Sequence, residues 1–266
     1  MDARKLGFPY RAVLTGASGG IGAAIARQLA PRCALLILVG RRLDALEALR
    51  QELQPCAVHL VCGDLSEPDT LARIESVARG LGGINLLVNN AGVSDFHAFA
   101  SQSPEVIGQL LATNLLAPML LTRRLIPLLA AAPAAQIVNV GSVFGQIGFP
   151  GFAAYCAAKA GLAGFTQALR RELADSSVEV RHFAPRATRT PINSAAVSAM
   201  NRALGTAEDT PQQVAAALLR FLEATAWQRT LGATERFFVL LNKLLPALPD
   251  QAIRGQLPII RKYLPK

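Results

Sequence analysis

A doubly wound α/β domain, a parallel sheet with helices on both faces, is the fold this chain predicts. Short apolar runs alternate with stretches of helical length and period along residues 12–183, the pattern of repeated strand-helix-strand units. The 266 residues, 52% of them hydrophobic, suffice for one sizeable core, and roughly 250 residues is a common size for a single α/β domain.

Strand candidates are residues 12–14, 35–39, 58–61, 86–88, 137–140 and 178–183, and residues 43–53, 71–81, 106–129 and 155–173 have helical spacing. The first junction is Thr15-Gly16-Ala17-Ser18-Gly19-Gly20-Ile21-Gly22, preceded by Ala12-Val13-Leu14 and followed by Ile21, Ala24, Ile25 and Leu29 at helical period. It joins a strand to a helix N-terminus. N–H groups there lack intrahelical partners and the dipole is positive, while glycines let an anion approach the main chain. The loop suits a pyrophosphate; the alternative is a glycine-rich turn that binds nothing. Ser66-Glu67-Pro68-Asp69 predicts a helix start with Ser66 as cap and Pro68 in the first turn. Beyond Gly232 the alternation stops, and Phe237, Phe238, Leu240, Leu241, Leu244 and Leu245 form an amphipathic segment, followed by prolines and Leu257-Pro258-Ile259-Ile260. The expected organisation is one domain over 1–232 and a basic amphipathic extension over 233–266.

Uninterrupted apolar runs (34–39, 84–88, 237–241) are short against the roughly 18 residues of a spanning helix. The opening residues show no signal-peptide pattern. No transmembrane helix is expected, and the protein is expected in the cytoplasm. Cys33, Cys56, Cys62 and Cys156 form no Cys-x-x-Cys pair and have no histidines at ligand spacing, so they read as buried or half-buried thiols rather than a metal or disulfide framework. His59 and His182 lie in strand-like runs and read as satisfied core or edge residues, while His97 lies in a loop. The net charge of +9 sits at the ends. Residues 229–266 carry Arg229, Arg236, Lys243, Arg254, Arg261, Lys262 and Lys266 against Glu235 and Asp250, a net +5, and residues 1–11 carry Arg4, Lys5 and Arg11 against Asp2. These cations alternate with leucines and form no continuous stripe, which argues against nucleic acid.

Ligands of such a sheet bind beyond the carboxyl ends of its strands. Gly40-Arg41-Arg42 follows the second strand, where two guanidinium groups suit the 2′-phosphate of NADP better than a ribose hydroxyl. The alternative is an exposed pair on a solvated turn. Tyr155-Cys156-Ala157-Ala158-Lys159 puts a phenol and an ammonium at i and i+4 on one helix face. Lowering a phenol pKa by ~3 units takes ~4 kcal/mol, the order of energy one cation about 4 Å away supplies at an effective dielectric near 20. Gly141-Ser142 follows a strand end, where a hydroxyl can hold a carbonyl oxygen, and Asn114 is a polar residue inside an apolar helical run, usually exposed or locally satisfied in such a setting.

Taken together, Thr15-Gly16-x-x-x-Gly20-x-Gly22, Asp64, Asn89-Asn90-Ala91-Gly92, Asn114, Ser142 and Tyr155-x-x-x-Lys159 resemble the short-chain dehydrogenase/reductase family, in its compact single-domain branch, over roughly residues 10–232. The resemblance implies a Rossmann fold and hydride transfer between NADP(H) and a carbonyl or alcohol. It makes Tyr155 the acid/base, with Lys159 lowering its pKa and holding the nicotinamide ribose. Ser142 would orient the substrate oxygen, and Asn114 would hold a water linking Lys159 to solvent. Gly16, Ser18, Gly20, Ile21, Gly22, Arg41, Arg42, Asp64, Leu65, Asn90, Ala91, Gly92, Thr188 and Thr190 would complete the cofactor site, with Asp64 meeting the adenine amino group. It also implies a homodimer or homotetramer. A catalytically silent NADP-binding regulator or scaffold of the same fold is the alternative; the complete Asn114, Ser142, Tyr155, Lys159 set speaks against it.

One departure stands out. The family has Pro-Gly where this chain has Pro185-Arg186, followed by Ala187-Thr188-Arg189-Thr190, so Arg186 and Arg189 bear on the backbone there and on substrate charge, unless both face solvent. The cleft segments 93–103 and 145–152, and the stretch after Thr190, are mostly apolar or small and suggest a hydrophobic carbonyl substrate. The extension either packs on the body or a partner subunit, caps the cleft, or lies peripherally on an anionic membrane.

Overall fold

Each of the six apolar runs becomes a strand. The structure, a computed structural model, describes residues 9–265; Arg4, Lys5 and Lys266 of the basic ends lie outside them. The chain runs β1 (Tyr10–Thr15), α1 (Gly20–Leu29), β2 (Cys33–Gly40), α2 (Leu43–Glu52), β3 (Ala57–Cys62), α3 (Pro68–Gly80) and β4 (Leu86–Asn89). It continues through α4 (Pro104–Leu111), a π-helical turn (Ala112–Leu116), α5 (Ala117–Ala130), β5 (Ala135–Val140), α6 (Ala153–Glu172) and β6 (Val178–Ala184). Then follow α7 (Ala195–Ala203), α8 (Pro211–Glu223), β7 (Gln228–Thr230), α9 (Ala233–Leu244) and α10 (Ala247–Tyr263). All seven strands are parallel, in the order β3-β2-β1-β4-β5-β6-β7. The order reverses between β1 and β4, which opens a crevice at their carboxyl ends.

The strands read as apolar runs because both faces are covered. Leu14, Leu36 and Leu38 pack with Ile25 and Leu29 of α1, Leu46 of α2 and Leu218 of α8. Val13, Ile37 and Leu87 pack on the other face with Ile74 of α3, Leu121, Leu125 and Leu129 of α5 and Leu169 of α6. Each such side chain contributes roughly 2 kcal/mol of burial.

Four local readings change. Ser66 does not cap α3: Glu67 holds that position without a side-chain bond, and Ser66 instead donates its N–H and hydroxyl to Asp64 Oδ1 (2.8 and 2.7 Å). The single helix expected over 106–129 starts at Pro104, with Ser103 as cap, and is interrupted by the π turn. Helices α7 and α8 and strand β7 extend the alternation past residue 183; β7 carries no apolar signal because Gln228-Arg229-Thr230 is a short polar edge strand. The run Pro104–Ala130 is, by length and composition, apolar enough to cross a membrane, but its Leu121, Leu125 and Leu129 belong to the core.

The extension forms α9 and α10, and α10 packs inward. Ile260 is fully buried in a cluster with Phe96, Phe152, Cys156, Val197 and Met200, flanked by Tyr155, Tyr263 and Leu264.

Candidate active site

The glycine loop is built for close backbone approach. Gly16 takes φ +67°, and a Cβ there would lie 2.7 Å from Ala91 Cα; a Cβ on Gly22 would overlap the Gly16 carbonyl. Gly19 caps α1 with no side-chain bond, so the first-turn N–H groups face the crevice without a competing side chain. Thr15 Oγ1 accepts from the N–H groups of Asn90 and Ala91 (both 3.0 Å), and Asn90 Nδ2 donates to the Thr15 carbonyl (3.0 Å). The ends of β1 and β4 are thereby locked side by side.

One cleft of about 720 Å³ is lined by Gly16, Ser18, Gly20, Ile21, Gly22, Arg41, Arg42, Asp64, Leu65, Asn90, Ala91, Gly92, Ser142, Tyr155, Lys159, Thr188 and Thr190. Every expected site residue except Asn114 is on its wall. Both arginines are exposed; Arg42 donates to the Ser18 carbonyl (2.6 Å), while Arg41 stands 3.9 Å from Asp64. The bonds from Ser66, and secondarily Arg41, hold the Asp64 carboxyl below its ordinary range.

Asn114 sits one layer behind. It is fully buried, Oδ1 accepting from Val93 N–H (3.0 Å) and Nδ2 donating to the Val93 carbonyl (2.9 Å). A helix-interior asparagine is thus satisfied 21 residues away rather than locally. The π turn carries this residue, and a Cβ at Gly92 would lie 2.8 Å from its Oδ1 and 3.6 Å from Lys159 Nζ.

Lys159 is buried, its Nζ donating to the Val140 carbonyl at 3.0 Å and lying 5.9 Å from the centre of the Tyr155 ring. Burial pushes its pKa down to about 8. Burial also pushes the Tyr155 phenol up to about 12, against the opposing pull of its hydrogen bond with Ser142. Desolvation therefore outweighs the influence of Ser142, and the phenol is not lowered as the Tyr155–Lys159 spacing suggests. At neutral pH the phenol keeps its proton. Ser142 Oγ also accepts from Phe144 N–H (3.1 Å).

A model of the short-chain dehydrogenase family matches residues 11–201. The chain belongs to the short-chain dehydrogenases. Nodulation protein G of Rhizobium sp. is 39% identical over 176 residues, 66% of this chain and 71% of that protein. Dehydrogenase/reductase SDR family member 7B of Bos taurus is 32% identical over 213 residues, 76% of this chain and 65% of the bovine protein. Among solved structures, a short-chain dehydrogenase from Sphingobium yanoikuyae in complex with NADPH superposes with TM-score 0.77 at 30% identity, over 91% of this chain and 96% of that one. The protein is therefore a Rossmann-fold oxidoreductase.

At Pro185-Arg186, where the resemblance implies Pro-Gly, the structure settles how the arginine is placed. Arg186 does not face solvent: it pairs with Asp209 (2.7 Å) and Glu235 (3.5 Å), and both Arg186 and Glu235 line the cleft. Two carboxylates neutralise it, so it brings no free cation to the substrate. Arg189 is exposed. The substrate end of the cleft is aromatic. Phe144 and Phe149 stack at 4.9 Å, and Phe152 meets Phe144 at 5.1 Å and Tyr155 at 6.3 Å. His97 pairs with Asp95 (2.9 Å) outside the lining residues.

The four thiols are free, Cys156 buried and the others half-buried. His59 is exposed. His182 is buried, but both ring nitrogens lack partners among the described residues, which corrects the expectation of a satisfied histidine. Its ring occupies the space where a Cβ of Gly141 would stand. Desolvation, then Lys159, pushes it from 6.5 down to about 4. The unfolded chain therefore binds the proton first on acidification, and stability falls between pH 6.5 and about 4. This histidine should cost roughly 2 kcal/mol by pH 5. Urea titrations at pH 7 and pH 5 check it: His182→Leu should lose less stability over that interval than the wild type.

Proposed function

We propose that this protein is an NADPH-dependent reductase of apolar carbonyl compounds, with Tyr155 as the proton donor. The observation that carries the reading is the meeting of Ser142, Tyr155 and Lys159 on the wall of the same cleft that holds the glycine loop, with Lys159 Nζ anchored on the Val140 carbonyl and 5.9 Å from the centre of the Tyr155 ring. The cradle fits the cofactor: a Cβ would fill the space at Gly16 and Gly22, and Arg41 and Arg42 supply cations where a 2′-phosphate would lie. The NADPH complex of the Sphingobium yanoikuyae relative supports the same choice. Gly20, Ile21 and Gly22 would hold the pyrophosphate, Asp64 and Leu65 the adenine, and Asn90, Ala91, Gly92, Thr188 and Thr190 the remaining length.

When bound, NADPH supplies a hydride to the carbonyl carbon. Ser142 would orient the carbonyl oxygen, and Tyr155 would deliver its phenolic proton to that oxygen as negative charge develops. A phenol pushed up to about 12 is in the acid form for reduction. Lys159 would hold the ribose and replenish the Tyr155 proton. Asn114 acts as a positioning residue, since its carboxamide is occupied with Val93; any water shared with Lys159 falls to the second lone pair of Oδ1. The aromatic wall and the neutralised Arg186 favour an uncharged, apolar substrate. As in the family, a homodimer or homotetramer is the proposed assembly.

Incubating the full chain with NADPH and a panel of aliphatic and aryl ketones, beside carboxylated analogues, tests the reading. The apolar members should oxidise NADPH, and turnover confined to the carboxylates would overturn it. A second outcome follows from Lys159, a cation only below about pH 8. kcat/KM for NADPH, which reports the free enzyme, should decline above that pH.

A further inference from the structure

We propose that α9 and α10 form a membrane-binding surface that lies on an anionic bilayer. Surface helices ordinarily turn their apolar stripe inward, and α9 does the opposite. Its inward side is pinned largely by polar groups: Glu235 pairs with Arg186, and Asn242 Nδ2 donates to the Gln146 carbonyl (3.1 Å), with Val239 the buried apolar side chain. Its outward side is a ridge of Phe237, Leu240 and Leu244, spaced i, i+3, i+7 and 61%, 55% and 68% exposed. Leu245 and Leu248 carry the ridge into α10, 56% and 50% exposed. Single exposed leucines need no explanation, but a continuous row of large apolar side chains marks an interaction surface.

Charge selects the partner. Arg236 and Lys243 directly precede Phe237 and Leu244, and Arg254, Arg261 and Lys262 lie on α10. Among the described residues none of these five is in an ion pair with a carboxylate. Of the acidic residues on the two helices, Glu235 is already committed to Arg186 and only Asp250 remains. A two-fold contact with a second copy would set this cationic patch against itself. Anionic headgroups complement it, at about 1 kcal/mol per cation near the surface, while the ridge enters the headgroup/acyl boundary as in interfacial helices. Glu235 of α9 also lines the catalytic cleft. On the proposed function, the surface would hold the cleft close to where apolar carbonyl compounds dissolve.

Co-sedimentation of the full chain with phosphatidylcholine vesicles, with and without phosphatidylserine, tests this. The wild type should pellet with the serine-containing vesicles and be released by salt. Leu240→Asp/Leu244→Asp should lower the bound fraction ~10-fold with NADPH binding and melting temperature unchanged; if that variant fails to fold, Lys243→Glu/Arg254→Glu should show the same loss. Equal pelleting with both vesicle types, or none, would overturn the proposal. So would a fall in oligomeric mass of a folded ridge variant without vesicles, which would assign the ridge to a second copy. Because pelleting needs no turnover, failure here is distinguishable from failure of the proposed reaction.

Discussion

Tyr155→Phe lowers kcat for carbonyl reduction by about 10³-fold and leaves NADPH affinity within about twofold. General acid catalysis contributes 10² to 10⁴, and the middle of that range is expected because Tyr155 is the phenol on the cleft wall beside Ser142 and Lys159. The phenylalanine ring keeps the edge contact with Phe152, so the substitution removes the hydroxyl and its bond with Ser142 but little packing. Steady-state turnover on the best ketone, paired with fluorescence titration of NADPH, separates the two effects. Ser142→Ala should give a smaller loss, because Tyr155 could still donate while the substrate oxygen is less well held.

Arg41→Ala reduces the preference for NADPH over NADH by about 10- to 100-fold, almost entirely through weaker NADPH binding. One charge-assisted bond to a phosphate is worth about 1.5–3 kcal/mol. Arg41 is the more informative of the pair because Arg42 already donates to the Ser18 carbonyl, so its loss would also loosen the glycine loop. Among the described residues the Arg41 guanidinium is in an ion pair only with Asp64, at 3.9 Å; its removal should leave the fold intact. Calorimetric Kd values for both cofactors check the ratio, and an unchanged ratio would remove Arg41 from the phosphate site.

The strands were legible because a parallel sheet covered on both faces demands unbroken apolar runs, and Leu35-Leu36-Ile37-Leu38-Val39 has no other use. Strand β7 was not, because a three-residue polar edge strand needs none. Helix α8 did carry a signal: Thr210 and Gln213 form a capping box around Pro211. The π turn left no periodic trace, and a fully buried asparagine inside an apolar run was its one hint. Site residues clustered by strand ends could be gathered from sequence, since the topology delivers those ends to one crevice. Contacts between distant segments could not: Arg186 finds Asp209 and Glu235, 23 and 49 residues away, only once β6 and α9 are folded. Desolvation is equally hidden: the Tyr155–Lys159 spacing suggests a lowered phenol, whereas loss of solvent around the ring pushes it up.

Deuteride transfer tests the central claim most directly. With NADPH deuterated at nicotinamide C4 and an apolar ketone, the wild type should place deuterium on the carbinol carbon with one facial preference, and Tyr155→Phe should bind the same NADPH yet form almost no labelled alcohol. Labelled alcohol formed by Tyr155→Phe at the wild-type rate would contradict the assignment of Tyr155 as the proton donor.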